Sequence, residues 1–370
     1  MVDIPIKSLY LHYPFCKNLC NYCDFYKGLP TQELENSYDQ LLIKMFKEHD
    51  QLLKDQGYVF DQLETIYIGG GTPSLWGTRG AKLLENEFNS RGISLTDNCE
   101  FTLEVNPGDW TTESLRAWRD LGVNRYSVGI QSLNSTFLKI LDRTHSIDEV
   151  FNTLDYFSRE KENYSVDFIL GLPYSSQYKR NVLEELDEIL RYSPSHISLY
   201  ILTVKDNYKH FAELPDDEYI EREYLEVADF LKSKGFEHYE VSNFSKPNKE
   251  SIHNKKYWKM DSVAAIGPSA TGYLADSRFR YKWKTKDVKL EIEKLNDKEF
   301  LIEDLYMNLR IRDGLSLNYF NDQEFYQIGK KWVEHNWAEI IDGRICLTSK
   351  GFLVLDTLMD NLFIQYKEKF

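Results

Sequence analysis

Along the N-terminal part of the chain, short apolar runs rich in β-branched and aromatic residues alternate with stretches of helical period. Residues 7–13 (KSLYLHY), 63–68 (LETIYI), 100–105 (EFTLEV), 125–130, 165–170 and 196–202 predict six strands. Residues 35–54, 79–89 and 112–121 carry helical spacing between them. Each connection is long enough for a crossover helix, so the six β–α units predict a parallel α/β architecture.

After the sixth strand the rhythm changes. Residues 216–234 read as a charged helix, and 236–244 (FEHYEVSNF) alternates like one strand. Two loops are expected next, one carrying 253–258 (HNKKYW) and one carrying 266–269 (IGPS). Helical period returns from about residue 290. Residues 338–348 (AEIIDGRICLT) predict a hairpin, with Asp342-Gly343 suited to a type I′ turn, and a terminal helix runs to about residue 366. The expected organisation is 1–240 as the α/β unit, 241–290 as a connecting segment and 291–370 as a small helical, winged-helix-like domain.

The polar and glycine signals fall after the strands, at the end where α/β barrels keep their active sites. Cys16, Cys20 and Cys23 follow the first strand with the spacing C-x3-C-x2-C. Three thiols this close on one loop can converge on one metal centre. Zinc would need a fourth ligand, with His12 the nearest. A cubane iron–sulfur cluster would keep one iron open. Three inert thiols are the third reading. Cys99 and Cys346 lie in apolar strand-like runs and read as core thiols. Gly69, Gly70, Gly71 and Thr72 follow the second strand, Glu104 and Gln131 stand at the ends of the third and fourth, and Asp167 lies in the fifth. Taken singly, these are a tight turn and helix-capping side chains. Their shared placement at one mouth is what points to a site.

Composition narrows the class. The chain has 370 residues and no stretch near the ~18 consecutive apolar residues of a spanning helix. No charged region followed by an apolar run opens it, so a cytoplasmic protein is expected. Five cysteines, an odd number, argue against a disulfide framework. A net charge of −14 disfavours a nucleic-acid partner. Residues 246–289 depart from that sign, with eleven Lys/Arg against four Asp/Glu. That segment reads either as a solvated face or as an attractor of carboxylates or an anionic membrane surface. A peripheral membrane contact and a homodimer are both left open.

The cysteine motif with Tyr22, preceded by a strand and followed by GGGTP, resembles the radical S-adenosylmethionine (SAM) superfamily. The resemblance continues through EVNP (104–107), GIQS (129–132), LDRTH (141–145), DFILGLP (167–173), EVSNF (240–244), HNKKYW (253–258) and IGPSA (266–270). This set is similar to the oxygen-independent coproporphyrinogen III oxidase family, and within it to the HemW branch of heme chaperones. The resemblance implies an incomplete (β/α)6 barrel with the small C-terminal domain. It implies a [4Fe–4S] cluster on Cys16, Cys20 and Cys23. SAM would be contacted by Tyr10, Tyr22, Gly69, Gly70, Gly71, Thr72, Glu104, Gln131, Arg143, Asp167 and Thr203. It implies heme as cargo for acceptor apoproteins, with His253 as an exposed axial ligand beside aromatic residues. The basic segment around His253 would then suit the heme propionates.

Two departures set the chain apart from the oxidase. That family has a further cysteine two residues after the third, where this chain has Phe25. Only fifteen residues precede Cys16, where the oxidase has a longer segment over its substrate. The cofactor set is that of an enzyme, but decarboxylation of coproporphyrinogen is not expected. The oxidase stays as the alternative, and a zinc-stabilised α/β interaction protein as a second.

Overall fold

A computed structural model of the chain describes residues 3–205, 207–320 and 323–366. The last four residues of the expected C-terminal domain thus lie outside the described residues. Six parallel strands form the barrel wall: β1 (Ile4–Tyr13), β2 (Tyr58–Gly70), β3 (Leu95–Val105), β4 (Arg125–Gln131), β5 (Tyr164–Leu170) and β6 (His196–Ile201). The crossovers carry α1 (Gln32–Gln56), α2 (Gly77–Arg91), α3 (Thr112–Leu121), α4 (Ser135–Ile140), α5 (Ile147–Glu160) and α6 (Val182–Leu190). Local chemistry sets their ends. Thr111 and Ser146 open α3 and α5 through capping boxes, and Gly57, Gly92 and Gly122 close α1, α2 and α3 in the left-handed region.

Alternate residues of each strand point two ways. One set, including Leu9, Leu11, Ile66, Ile68, Phe101, Leu103, Val128 and Val166, is buried in one continuous apolar core. The other set lines the barrel lumen and is polar: Ser8, Thr65, Glu100, Thr102, Arg125, Ser127, Ser165, His196 and Ser198 are all buried. A closed (β/α)8 barrel fills its interior with branched apolar side chains. This one keeps a polar column beneath its mouth.

The expected six strands are present, within a nine-stranded sheet of order β7-β8-β6-β5-β4-β3-β2-β1-β9. After α7 (Asp217–Ser233), the FEHYEVSNF stretch breaks into a hairpin, β7 (Glu237–Glu240) and β8 (Asn243–Ser245), which adds antiparallel to β6. The HNKKYW segment is not a loop but a helix, α8 (Ile252–Trp258). The IGPS segment begins in a strand, β9 (Ala264–Ile266), that runs parallel to β1 on its outer edge. The sheet therefore draws on residues beyond 240, where the first expected domain stops. A meander follows: β10 (Thr271–Leu274), β11 (Phe279–Trp283) and β12 (Leu290–Lys294). β12 spans the expected boundary at 290/291. Its pairing with β11 places that stretch in a sheet rather than a helix.

The last unit packs α9 (Asp297–Leu309), α10 (Gln323–Glu334), α11 (Ser349–Leu353) and α12 (Leu355–Gln365) on a small sheet. That sheet is made of β13 (Leu315–Ser316), β14 (Ala338–Ile341) and β15 (Arg344–Leu347). Asp342 and Gly343 turn between β14 and β15 at φ of 48° and 73°, as the hairpin reading requires. It has its own apolar core around Leu309, Phe325, Trp332, Ile345 and Leu358. Cys99 and Cys346 are buried core thiols.

Candidate functional site

The cysteine loop leaves β1 and folds back on its own root. The Cys16 amide donates to Gly28 O at 3.0 Å, and the Gly28 amide to Pro14 O at 2.8 Å. Asn21 ties the loop to the segment after α4 through Ile140 O (2.7 Å) and Asp142 (2.8 Å). The three thiols are half-buried and line one small cavity of about 60 Å3 with Gly70, Gly71, Thr72, Arg143 and His145. Burial pushes the Cys16 thiol up to about 11 and also raises Cys20. Arg143 offsets this for Cys20, with Nη1 4.0 Å from its Sγ.

The glycine run closes on the same loop. The Gly71 amide donates to Tyr13 O (2.7 Å) and the Thr72 amide to Phe15 O (2.8 Å). A Cβ on Gly71 would fall 2.6 Å from the Phe15 carbonyl oxygen, a backbone atom that cannot turn aside. At Gly70, with φ of 114°, a Cβ would enter the His12 ring. Only glycine fits either position.

A second cavity of about 350 Å3 opens beside the first and shares Tyr22, Cys23, Gly70, Gly71, Thr72, Asn106 and Arg143 with it. Glu104, Gln131, Asp167 and Thr203 also line it. Glu104 accepts from Tyr67 Oη (2.9 Å) and from the Gly70 amide (3.0 Å). Burial raises its carboxyl to about 7 against those two donors, with the Asp167 charge adding to the rise. Ser127 donates to Asp167, whose carboxyl burial also raises. Arg143 is fixed by Asn106 Oδ1 (2.8 Å) and Gly129 O (2.6 Å). Gln131 is held at a φ of 70°.

Most of the sequence-derived site residues thus meet at one mouth. Three do not line it. Tyr10 turns its hydroxyl to His12 (3.0 Å) and packs on Tyr67. Gly69 sits behind Glu104, where a Cβ would meet the carboxylate at 2.9 Å. His253 lies deeper, below Tyr67. Reading the sequence missed Tyr67, Ser127 and Tyr200, which line the larger cavity, and the buried Arg125 beneath it. The alternation of strands β2, β4 and β6 was the signal that places them inward.

Two expectations about the HNKKYW segment are overturned. His253 is not exposed; only 1% of its surface is accessible. Helix α8 lays His253 and Tyr257 on one inward face, with the His253 ring stacked on Tyr67 at 5.4 Å. Nδ1 of His253 faces Thr65 Oγ1 at 2.9 Å, while Nε2 is buried without a partner. Burial, with Arg125 and Lys256 nearby, pushes the imidazole down to about 3, so it is neutral near pH 7. The basic segment, in turn, is partly neutralised, at the cations nearest His253 and on β11. Lys255 pairs with Glu250, Lys256 with Glu64, Arg278 with Asp297, and Arg280 with Glu293 and Glu303. His12, the nearest candidate for a fourth zinc ligand, has both ring nitrogens engaged, by Tyr10 and by the Tyr26 carbonyl (2.9 Å).

Residues 10–178 match the radical SAM superfamily. The heme chaperone HemW of Lactococcus lactis is 31% identical over 369 residues, covering 93% of this chain and 94% of its own. The chain belongs to the HemW family of radical SAM proteins. The Bacillus subtilis HemW is 30% identical, covering 94% and 97% of the two chains. The mouse mitochondrial radical S-adenosyl methionine domain-containing protein 1 is 32% identical, covering 98% and 88%. The solved coproporphyrinogen III oxidase HemN of Escherichia coli shares the fold, with a TM-score of 0.76 over 97% of this chain and 90% of its own at 19% identity. Membership in the radical SAM superfamily implies a [4Fe–4S] cluster and SAM. Among the described residues, no helix of this HemW-family chain is long and apolar enough to cross a membrane.

Proposed function

We propose that this chain holds a [4Fe–4S] cluster on Cys16, Cys20 and Cys23 with SAM in the adjoining cavity, binds heme through His253, and passes heme to acceptor apoproteins. The carrying observation is the union of the two cavities. Three half-buried thiols and a cradle that admits only glycine share one wall with a 350 Å3 space, within the range of ligand pockets.

When bound, the cluster and SAM would supply one-electron chemistry at the mouth. The chain's own residues do the rest. Gly70 and Gly71 admit a ligand against bare backbone. Arg143, immobilised by Asn106 and Gly129, presents a fixed positive charge for a carboxylate beside Cys20. Glu104 and Asp167 offer acceptors for an amine and for sugar hydroxyls. The imidazole of His253 is neutral near pH 7 and so can offer a ring nitrogen to iron.

The test is to reconstitute the cluster anaerobically, then titrate heme into wild type and His253→Ala while assaying coproporphyrinogen turnover. Heme binding by wild type, weakened in the variant and without turnover, supports the chaperone. Turnover of coproporphyrinogen without heme binding replaces it with the oxidase. A colourless protein that binds zinc and no iron would remove the cofactor assignment.

A further inference from the structure

In its docked position α8 keeps His253 buried and outside both cavities of the mouth. Toward the lumen the ring is covered by Tyr67, whose hydroxyl is tied to Glu104. A route past Tyr67 would run through the space assigned above to SAM. The opposite side of α8 lies at the surface, where Ile252 is 48% exposed. Access to His253 is therefore outward, by movement of the helix itself.

The helix is built to be held by others rather than by itself. It has seven residues, far below the length at which a helix persists alone. Its first amides are held by a side chain of the barrel: Ile252 N and His253 N donate to the Glu100 carboxylate at 3.0 and 2.8 Å. Thr65 holds the imidazole, and Glu64 holds Lys256 at 2.9 Å. Both flanks carry a non-glycine residue in the left-handed region, Asn248 at φ 62° and Met260 at φ 54°. Met260 occupies the position after a helix end where glycine is usual. Its strain persists only while the surrounding contacts impose it. The unpartnered Nε2, buried at a cost, is a second sign that the docked state is not the one that uses the ring.

We propose that α8 is a latch: docked on Glu100 and Thr65 it withholds His253, and its release between Asn248 and Met260 delivers the imidazole to heme. The inference rests on the reading of His253 as the heme ligand, and the test separates the two. Ferric heme is mixed with the full-length, cluster-loaded protein, and uptake is followed by the Soret band. Thr65→Val and Glu100→Gln each remove a latch contact, so uptake should be roughly three- to tenfold faster than in wild type. Equal rates overturn the latch. Slower uptake with a shifted Soret band, restored by Thr65→Ser, also overturns it, because Thr65 would then remain on the ring in the bound state. Wild-type heme uptake by His253→Ala would overturn the ligand reading itself. Hydrogen exchange in the wild type covers the case of a variant that does not fold. The Ile252 and His253 amides should be protected in the free protein and lose that protection when heme is added. Protection unchanged by heme overturns the latch.

Discussion

At the scale of single residues, the mouth depends on positions that tolerate no extra atom and on a carboxyl held far from its ordinary state. Gly71→Ala drives a Cβ into the Phe15 carbonyl at the root of the cysteine loop. It should lower stability by about 1–3 kcal/mol and reduce bound iron after reconstitution. Gly28→Ala, in the same loop with open space around it, should change neither by more than about 0.5 kcal/mol. Urea midpoints and iron content measure both. Glu104 gives a pH signature. Its folded value near 7 lies above the ~4.3 of an unfolded glutamate, so the folded state holds the extra proton between them. Its contribution to stability is full below the unfolded value and falls as pH rises through about 7. Without SAM, Glu104→Gln should therefore gain on wild type as pH goes from 5 to 8. A melting-temperature difference independent of pH would contradict this. Glu240, also raised to about 7 by burial, leaves a residual slope in both proteins. The cysteines and glycines were legible because their spacing along the chain is itself the signal. Tyr67, Ser127 and Arg125 were legible only through strand alternation, which sorts residues into two faces without marking which face bounds a cavity.

At the scale of elements, the sheet shows how an exposed edge is managed. Among the described residues β9 has β1 on one side, and on the other only a single bridge, from Val263 at its start to Tyr273 of β10. Side chains take the place of a tenth strand. The Ala265 amide donates to Tyr281 Oη at 2.9 Å, and Trp283 Nε1 donates to the Ala265 carbonyl at 2.7 Å. Tyr281 also meets His49 Nε2 at 2.6 Å. Tyr281→Phe leaves a buried amide and a buried imidazole without partners. It should cost about 1–3 kcal/mol in denaturant titration and speed hydrogen exchange at Ala265. Exchange at Ala265 as slow as in wild type would show that the edge is protected otherwise. The long elements were legible, because the six strands and their crossover helices carry sustained periodicity. β9, β10 and α8 were not. They are three, four and seven residues long, too short for a period to stand out. FEHYEVSNF alternates as one strand would, yet residues 241–242 form a turn that the pattern does not mark.

At the scale of the whole molecule, charge and topology govern approach and assembly. With Lys255, Lys256, Arg278 and Arg280 of 246–289 paired to carboxylates, the net charge of −14 faces the proposed anionic cargo over a weakened basic patch. Heme uptake should then accelerate as salt rises from about 0.01 to 0.15 M, where the screening length shortens from about 30 to 8 Å. Stopped-flow rates that fall with salt would instead reveal a cationic landing surface. Topology has a consequence of another kind. The first strand of the chain finds its outer neighbour in residues 264–266, and that neighbour is sealed in turn by Tyr281 and Trp283. As the chain emerges from a ribosome, β1 must wait, one flank bare, until the segment near 283 has been made. A nascent chain stalled or cleaved before that point would present an open parallel edge to its neighbours. Of the strands in this sheet, β1 is the first made and among the last to be finished.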